Sequence, residues 1–202
     1  MKFFIVSGSH RKNSESARVA NFILGRFPKV LPKHETFYLN LGENPIPLWD
    51  ESVWEGAELW KKIWTPYADQ LKESSALVVV SPDWGGMVPA ALKNFFLLCN
   101  SGTVGHKPAL ITTVSSSRGG SYPVAELRMS SYKNNRVCYI PEHIIVRDSE
   151  KMLLGAEAAG EDDRYLRERI DKALVLLHEY AKALTLVRES KVWDFKLHPN
   201  GM

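Results

Sequence analysis

The first twenty-four residues constrain the fold most, because they join an unbroken apolar run to a polar loop and then to a helical pattern. The run from Phe3 to Val6 is aromatic and β-branched without polar alternation, which is typical of a strand covered on both faces of a parallel sheet. A helical pattern follows from about Ala17, and Ser14 is placed to cap that helix. This stretch therefore predicts the strand–loop–helix unit of an α/β fold.

The loop inside this unit, residues 7–16, predicts a site for an anion. The exposed N–H groups and positive end of a helix favour negative charge, and Gly8 lets the backbone approach a ligand closely. The side chains that supply donors are Ser9, Arg11, Asn13, Ser14 and Ser16. The loop lacks both the Walker pattern and the three glycines of the dinucleotide fingerprint. It favours a terminal phosphate monoester held by hydroxyls and amides, and an ordinary polar turn capped by Ser14 is the alternative.

Length and composition indicate one domain and a small ligand. A chain of 202 residues with 45% hydrophobic residues has enough core for one domain, expected at residues 1–190 with a tail at 191–202. The net charge of +3 without a block of like charges argues against a nucleic-acid or membrane-surface partner. Cys99 and Cys138 lie in apolar contexts, which favours reduced thiols over a single disulfide. With no signal peptide and no run of about 18 apolar residues, we expect a cytoplasmic protein.

The remaining pattern alternates strands with helices. Further strands are expected at residues 34–39, 76–81, 107–114 and 141–147, the first of them at a sheet edge. Helices are expected at about 55–74, 90–100, 122–132 and 161–187, with Pro66 kinking or restarting the first. This alternation predicts a doubly wound parallel sheet with right-handed crossovers.

A long connection at residues 40–53 and a cluster of tryptophans stand out between the second strand and the third. The indoles are Trp49, Trp54, Trp60 and Trp64. They are suited either to packing a helix on the sheet or to an oligomer interface, and the sequence leaves both open.

Three polar loops are expected to meet at one edge of the sheet. The loops richest in Gly, Ser and Arg follow strands one, three and four, at residues 7–16, 82–89 and 115–121. Ligands of doubly wound sheets bind beyond the carboxyl ends of the strands. In the flavodoxin-like order 2-1-3-4-5 these three strands are neighbours, so their loops would line one crevice.

Three segments resemble the NAD(P)H-dependent FMN reductase family of flavodoxin-like quinone, azo-dye and flavin reductases. They are Gly8-Ser9-His10-Arg11 with Ser14 and Ser16, the segment 81–94, and Arg118-Gly119-Gly120. The family signatures are a Gly-Ser-x-Arg-x-x-Ser phosphate loop and a Pro-Glu-Tyr-Asn-Gly-Ser-x-Pro-x-x-Leu-Lys-Asn segment beside the flavin ring. The similarity spans about residues 3–147.

The resemblance implies bound FMN as cofactor and NAD(P)H as co-substrate. Hydride would pass to flavin N5 and then to a quinone-like acceptor in a ping-pong cycle, with no catalytic side chain and no metal. It also implies a homodimer or homotetramer. The implied cofactor-binding residues are Ser9, His10, Arg11, Asn13, Ser14, Glu15, Ser16, Pro82, Asp83, Trp84, Gly85, Gly86, Ser115, Ser116, Arg118, Gly119 and Gly120.

Within this set the resemblance assigns the phosphate to the first loop and the ring to the other two. The N–H groups of Gly119 and Gly120 would stabilise charge at N1 and O2 of the reduced ring. Arg118 would add charge there or bind a phosphate of the nicotinamide nucleotide, and a solvated loop arginine is the alternative.

The second loop departs from the family pattern. Asp83-Trp84-Gly85-Gly86-Met87 stands where the family has Glu-Tyr-Asn-Gly-Ser, which affects flavin affinity and substrate choice. Two other functions therefore stay open, a flavodoxin-like FMN-binding electron carrier and a flavin-free regulatory or scaffold protein of the same fold.

Overall fold

Five parallel strands form the sheet on which the molecule is built. The computed structural model describes residues 1–201. The strands are β1 (Lys2–Ser7), β2 (Glu35–Asn40), β3 (Ala76–Pro82), β4 (Pro108–Val114) and β5 (Cys138–Val146). Their order is β2-β1-β3-β4-β5, and every neighbouring pair is parallel. The flavodoxin-like doubly wound sheet predicted from the sequence is confirmed, including its strand order.

Helices cover both faces of the sheet. They are α1 (Glu15–Val30), α2 (Ser52–Glu55), α3 (Glu58–Ile63), α4 (Thr65–Glu73), α5 (Ala90–Leu98), α6 (Ser101–Val104), α7 (Ser121–Ser130) and α8 (Glu161–Glu189). None of the helices described in residues 1–201 is both long and apolar enough to cross a membrane.

Alternate strand residues divide the core into two layers. Phe3 and Ile5 of β1 pack under α1 and α8, whereas Phe4 and Val6 pack under the face formed by α3 to α7. All seven residues of β3 are buried, as expected for a central parallel strand whose two faces are both covered. The carboxyl ends of β1, β3 and β4 therefore lie side by side at one edge.

The prediction of a single helix at residues 55–74 is wrong, because the structure has separate short helices there. Gly56 ends α2 in the left-handed region, at φ 69°, and Trp64 separates α3 from α4. Pro66 lies in the first turn of α4, where a missing N–H costs nothing, so it restarts a helix rather than kinking one. The strand β5 also begins at Cys138, earlier than predicted, and α6 was not predicted.

The tryptophan cluster is divided between the core and the surface. Trp60 and Trp64 are buried against the sheet, and the indole N–H of Trp60 donates to Ser52 Oγ at 2.8 Å. Trp49 and Trp54 meet edge to face with ring centroids 4.9 Å apart, and Trp54 is 77% exposed. Core packing therefore explains Trp60 and Trp64 and, in part, Trp49, which is half-buried against the same core layer.

The described part of the tail, residues 191–201, packs on its own chain around Arg136. The Arg136 guanidinium donates to the carbonyls of His198 and Asn200 at 2.7 and 3.0 Å, and it lies 5.5 Å from the Trp193 ring. Cys99 and Cys138 are free thiols, so the alternative of a disulfide is not realised.

A buried lysine gives the fold a pH dependence that can be measured. Lys107 donates to the carbonyls of Leu71 and Lys72 at the end of α4. Burial, with a contribution from Arg188, lowers the pKa of Lys107 from 10.5 to about 8. Between these values the unfolded chain binds more protons than the folded one, so this residue makes the folded state more stable as the pH rises.

We expect the free energy of unfolding to rise between pH 8 and 10 by more in the wild type than in Lys107→Met. Urea unfolding at a series of pH values measures the difference, since the other lysines titrate in both proteins. Replacement of the exposed Lys61, Lys61→Met, is the control and should keep the wild-type slope. Parallel curves for wild type and Lys107→Met would contradict the expectation.

Candidate functional site

A cavity of about 540 Å³ opens at the carboxyl ends of the strands, within the size range of small-molecule sites. Its walls come from the loops after β1, β3 and β4 and from the turn after β5. The lining residues are Ser9, Arg11, Asn13, Ser14, Glu15, Ser16, Arg18, Pro82, Asp83, Trp84, Val114, Ser116, Ser149 and Glu150. The convergence of three loops predicted from the sequence is therefore present.

The loop after β1 is held by its own short hydrogen bonds and presents a helix N-terminus to the cavity. Gly8 N–H continues the sheet by donating to Val80 at 2.8 Å, and Ser9 Oγ, fully buried, accepts from Arg11 N–H at 3.2 Å. Ser14 Oγ accepts from Ala17 N–H at 3.1 Å and caps α1. The capped end keeps N–H groups of the first helical turn directed at the space where an anion would be stabilised.

A carboxylate also lies in this wall and is neutralised by an arginine one helical turn away. Arg18 donates to Glu15 through Nε at 3.1 Å and Nη2 at 2.6 Å. This arginine, and less strongly the nearby Ser149 hydroxyl, lowers the pKa of Glu15. The predicted cofactor residue Glu15 thus lines the cavity as an ionised, acceptor-only group whose charge is balanced within the wall.

The loop after β3 is a tight turn made by two glycines. Trp84 and Met87 exchange backbone hydrogen bonds at 3.2 and 3.1 Å, and Gly85 and Gly86 have φ of 61° and 81°. Positive φ at both central positions is what a type I′ turn requires, and Asn-Gly and Gly-Gly both suit it. The departure from the family's Asn-Gly therefore keeps the backbone turn while removing one amide side chain.

Asp83 ties this turn to the loop after β4. Its Oδ1 accepts from Gly86 N–H at 2.7 Å and its Oδ2 from Gly120 N–H at 2.6 Å. A Cβ on Gly119 would lie 2.6 Å from the same carboxylate, so the glycine permits the close approach. Because Gly120 N–H is already bonded to Asp83, the prediction that it stabilises a reduced ring is not supported in this arrangement.

The loop after β4 contributes less to the cavity than predicted. Ser116 lines it, whereas Ser115 is buried and uses its carbonyl to accept from Ser149 N–H at 3.1 Å. Arg118 is exposed, and its carbonyl accepts from Arg147 Nε at 2.8 Å. This loop therefore mainly supports the turns after β3 and β5 through hydrogen bonds of its backbone.

Ten of the predicted site residues line the cavity and seven lie outside its lining. Those outside are His10, Gly85, Gly86, Ser115, Arg118, Gly119 and Gly120. His10 packs edge to face on Trp84, with ring centroids 4.5 Å apart, and so links the first two loops. The residues that the sequence reasoning missed are Arg18, Val114, Ser149 and Glu150.

Comparison with known proteins places this arrangement in a family. A model of the NADPH-dependent FMN reductase family matches residues 1–151. A quinone reductase of Pseudomonas putida is 30% identical over 90 residues, and this match spans 45% of each chain, less than half the length of that relative.

Two solved structures share the fold across almost the whole chain. One is a flavoenzyme NAD(P)H:(acceptor) oxidoreductase from Paracoccus denitrificans, 16% identical with a TM-score of 0.67, covering 89% of this chain and 98% of that one. The other is an FMN-dependent NADH-azoreductase from Bacillus anthracis in complex with FMN, 16% identical with a TM-score of 0.52, covering 92% and 98%. The resemblance seen in the sequence is thereby confirmed at the level of the family. Since the family model covers well over half of the chain, this protein belongs to the NADPH-dependent FMN reductase family, a family of oxidoreductase enzymes.

Proposed function

We propose that the protein is an FMN-dependent oxidoreductase that takes electrons from NAD(P)H and delivers them to a quinone-like or other small acceptor in a ping-pong cycle. The observation that carries the proposal is the shared cavity, in which a hydroxyl-rich loop at a helix N-terminus faces Pro82 and Trp84. The family match and the FMN-containing azoreductase with the same fold support the choice of FMN.

The phosphate end of FMN fits the loop after β1. Three serine hydroxyls and the Arg11 guanidinium line that part of the cavity together with the N-terminus of α1; the serines are Ser9, Ser14 and Ser16. Hydroxyls and a planar guanidinium are the donors that phosphate oxygens accept from most readily. The Glu15 carboxylate would repel a phosphate, but its pairing with Arg18 removes most of that cost.

The ring end would lie along the loop after β3. Pro82 is buried and Trp84 half-buried, and together they offer an apolar and aromatic wall suited to a planar heterocycle. Bound FMN supplies the hydride-transfer chemistry, and the chain contributes position. Arg118, which is exposed and lies outside the cavity lining, is available to a phosphate of the nicotinamide nucleotide.

The proposal includes assembly into a homodimer or homotetramer. Apolar side chains are exposed on neighbouring helices, with Leu97 of α5 66% exposed and Tyr122 and Met129 of α7 73% and 76% exposed. A cavity of about 620 Å³ separates these two helices. Patches of this kind support an interaction surface, and sedimentation velocity would give the number of subunits.

The deciding experiment is an absorption spectrum of the purified protein with FMN, followed by anaerobic addition of NADPH or NADH and then a quinone. We expect tight binding of one FMN per chain, bleaching by the nucleotide, and recovery of colour on adding the quinone. Stable one-electron reduction with negligible nucleotide turnover would instead indicate an electron carrier. Failure to bind FMN would favour a flavin-free scaffold.

A further inference from the structure

The turn after β5 forms a wall of the cavity that the sequence reasoning did not anticipate. Ser149 begins a single turn of 3₁₀ helix, Ser149–Lys151, and is fully buried. Both of its backbone groups are fixed, because its N–H donates to Ser115 at 3.1 Å and its carbonyl accepts from Arg18 Nη2 at 2.6 Å. Its position relative to the loop after β1 is therefore set by the rest of the fold.

The Ser149 side chain, unlike its backbone, makes no hydrogen bond within residues 1–201. Its Oγ lies close enough to the Glu15 carboxylate to lower the pKa of that group, but not in hydrogen-bonding geometry. The residue lines the same cavity as Ser9, Ser14 and Ser16. A buried hydroxyl without a partner is costly, so such groups are rare in folded proteins. The unpaired Oγ at the phosphate end of the cavity indicates a ligand that accepts a hydrogen bond.

Arg18 connects this turn to the loop after β1. The Arg18 guanidinium donates to the Glu15 carboxylate through two nitrogens. It also donates to the carbonyl of Ser149 and, through Nη1 at 2.9 Å, to the carbonyl of Leu153. Arginine suits this role because its planar fork serves several acceptors at once and keeps its charge. Arg18 thus holds the turn in place and cancels the one carboxylate in the first turn of α1.

We propose that the Ser149 hydroxyl is a phosphate ligand, and that Arg18 is a positioning residue that holds Ser149 at the phosphate end and neutralises Glu15. The inference rests on the proposed function, in which the phosphate belongs to FMN. It adds a fourth loop to the three from which the cofactor site was predicted.

Ser149→Ala tests the ligand role by comparing FMN with riboflavin, which lacks the phosphate. Removing one hydrogen bond to a charged phosphate should weaken FMN binding about tenfold and leave riboflavin binding unchanged in a fluorescence titration. Equal losses for both flavins, or an unchanged FMN affinity, would overturn the ligand role. Ser130→Ala, on the exposed face of α7, is the control.

Inorganic phosphate is a second probe that does not depend on flavin. We expect it to raise the thermal midpoint of the wild type and to do so less in Ser149→Ala. A wild type that responds to phosphate but not to FMN would refute the proposed cofactor and keep the phosphate ligand. If Ser149→Ala responds as the wild type does to both probes, Ser149 is not a phosphate ligand.

Rescue by a second substitution tests the role of Arg18. Arg18→Gln should weaken FMN binding about tenfold or more, because Glu15 is left unpaired beside the phosphate, and Glu15→Gln in the same chain should recover much of that loss. Arg26→Gln is the matched control. Arg26 lies on the same helix but outside the cavity lining, and two of its guanidinium nitrogens donate to Asp171 at 2.7 and 2.5 Å. A double variant that binds FMN no better than Arg18→Gln would overturn the neutralising role.

Discussion

Asp83→Ala is expected to lower the free energy of unfolding by about 3 kcal/mol and to weaken FMN binding about thirtyfold or more. The carboxylate accepts from Gly86 N–H at 2.7 Å and from Gly120 N–H at 2.6 Å, and hydrogen bonds to a charged group are among the stronger ones in proteins. Alanine would leave both N–H groups without their acceptor and release the turn after β3 from the loop after β4. Urea unfolding and a fluorescence titration with FMN give the two quantities.

Graded variants distinguish the loss of the two Asp83 hydrogen bonds from a general loss of charge. Asp83→Asn keeps one acceptor oxygen and should fall between wild type and Asp83→Ala in both measurements. Asp69→Ala removes an exposed carboxylate paired with Lys72 and should change stability by less than about 1 kcal/mol. If Asp83→Ala bound FMN as tightly as Asp69→Ala does, the hydrogen bonds from Asp83 to Gly86 and Gly120 would not contribute to FMN binding.

The sequence was sufficient for the parts of this site that depend on local pattern. Apolar runs predicted β1, β3 and β4, and weaker patterns predicted β2 and β5. The serine-rich loop followed by a helix pointed to the loop that lines the cavity, because capping and helix polarity act within a few residues. The alternation of strands and helices predicted a doubly wound parallel sheet, and the order of its strands came from the flavodoxin-like resemblance. These features needed no knowledge of distant contacts.

The missed features depend on contacts between distant segments. Arg18 is one of two arginines on an amphipathic helix, and only the folded chain shows that it reaches the carbonyl of Ser149, 131 positions away. The N–H of Gly120 was predicted to stabilise charge on the flavin ring, yet it donates to Asp83, which lies 37 positions earlier. The helix predicted over residues 55–74 was interrupted where Trp64 enters the core. In each case tertiary packing decided the outcome.

The four loops differ in what they contribute to the site. The loop after β1 and the turn after β5 supply donors, the loop after β3 supplies an apolar wall, and the loop after β4 supplies mainly backbone acceptors that fix its neighbours. We therefore expect substitutions in the loop after β4 to affect FMN binding by displacing the neighbouring loops. Substitutions of Ser149 or Arg11 should act on the phosphate itself, and a comparison of FMN with riboflavin distinguishes these two kinds of effect.

Gly8→Val is expected to weaken FMN binding about a hundredfold and to lower the free energy of unfolding by about 3 kcal/mol. A Cβ at Gly8 would lie 2.6, 2.8 and 3.0 Å from the Cδ2, Cβ and Cγ atoms of Leu92, which is fully buried under the sheet. Because Leu92 Cβ is fixed to helix α5, that side chain cannot move aside, and the loop after β1 must shift instead. The shift displaces Ser9 and the N–H groups that follow it from the phosphate end of the cavity.

Gly25→Val is the matched substitution for this test. Gly25 lies in the same strand–loop–helix unit, on the exposed side of α1, and a Cβ there would meet no atom within 4 Å. Valine is the better helix former of the two residues, so this variant should change stability by less than about 0.5 kcal/mol and bind FMN normally. Titration and urea unfolding of both variants would show whether crowding at Gly8 is the cause. If Gly8→Val and Gly25→Val bound FMN equally well, the loop after β1 would not hold the cofactor through its close packing on α5.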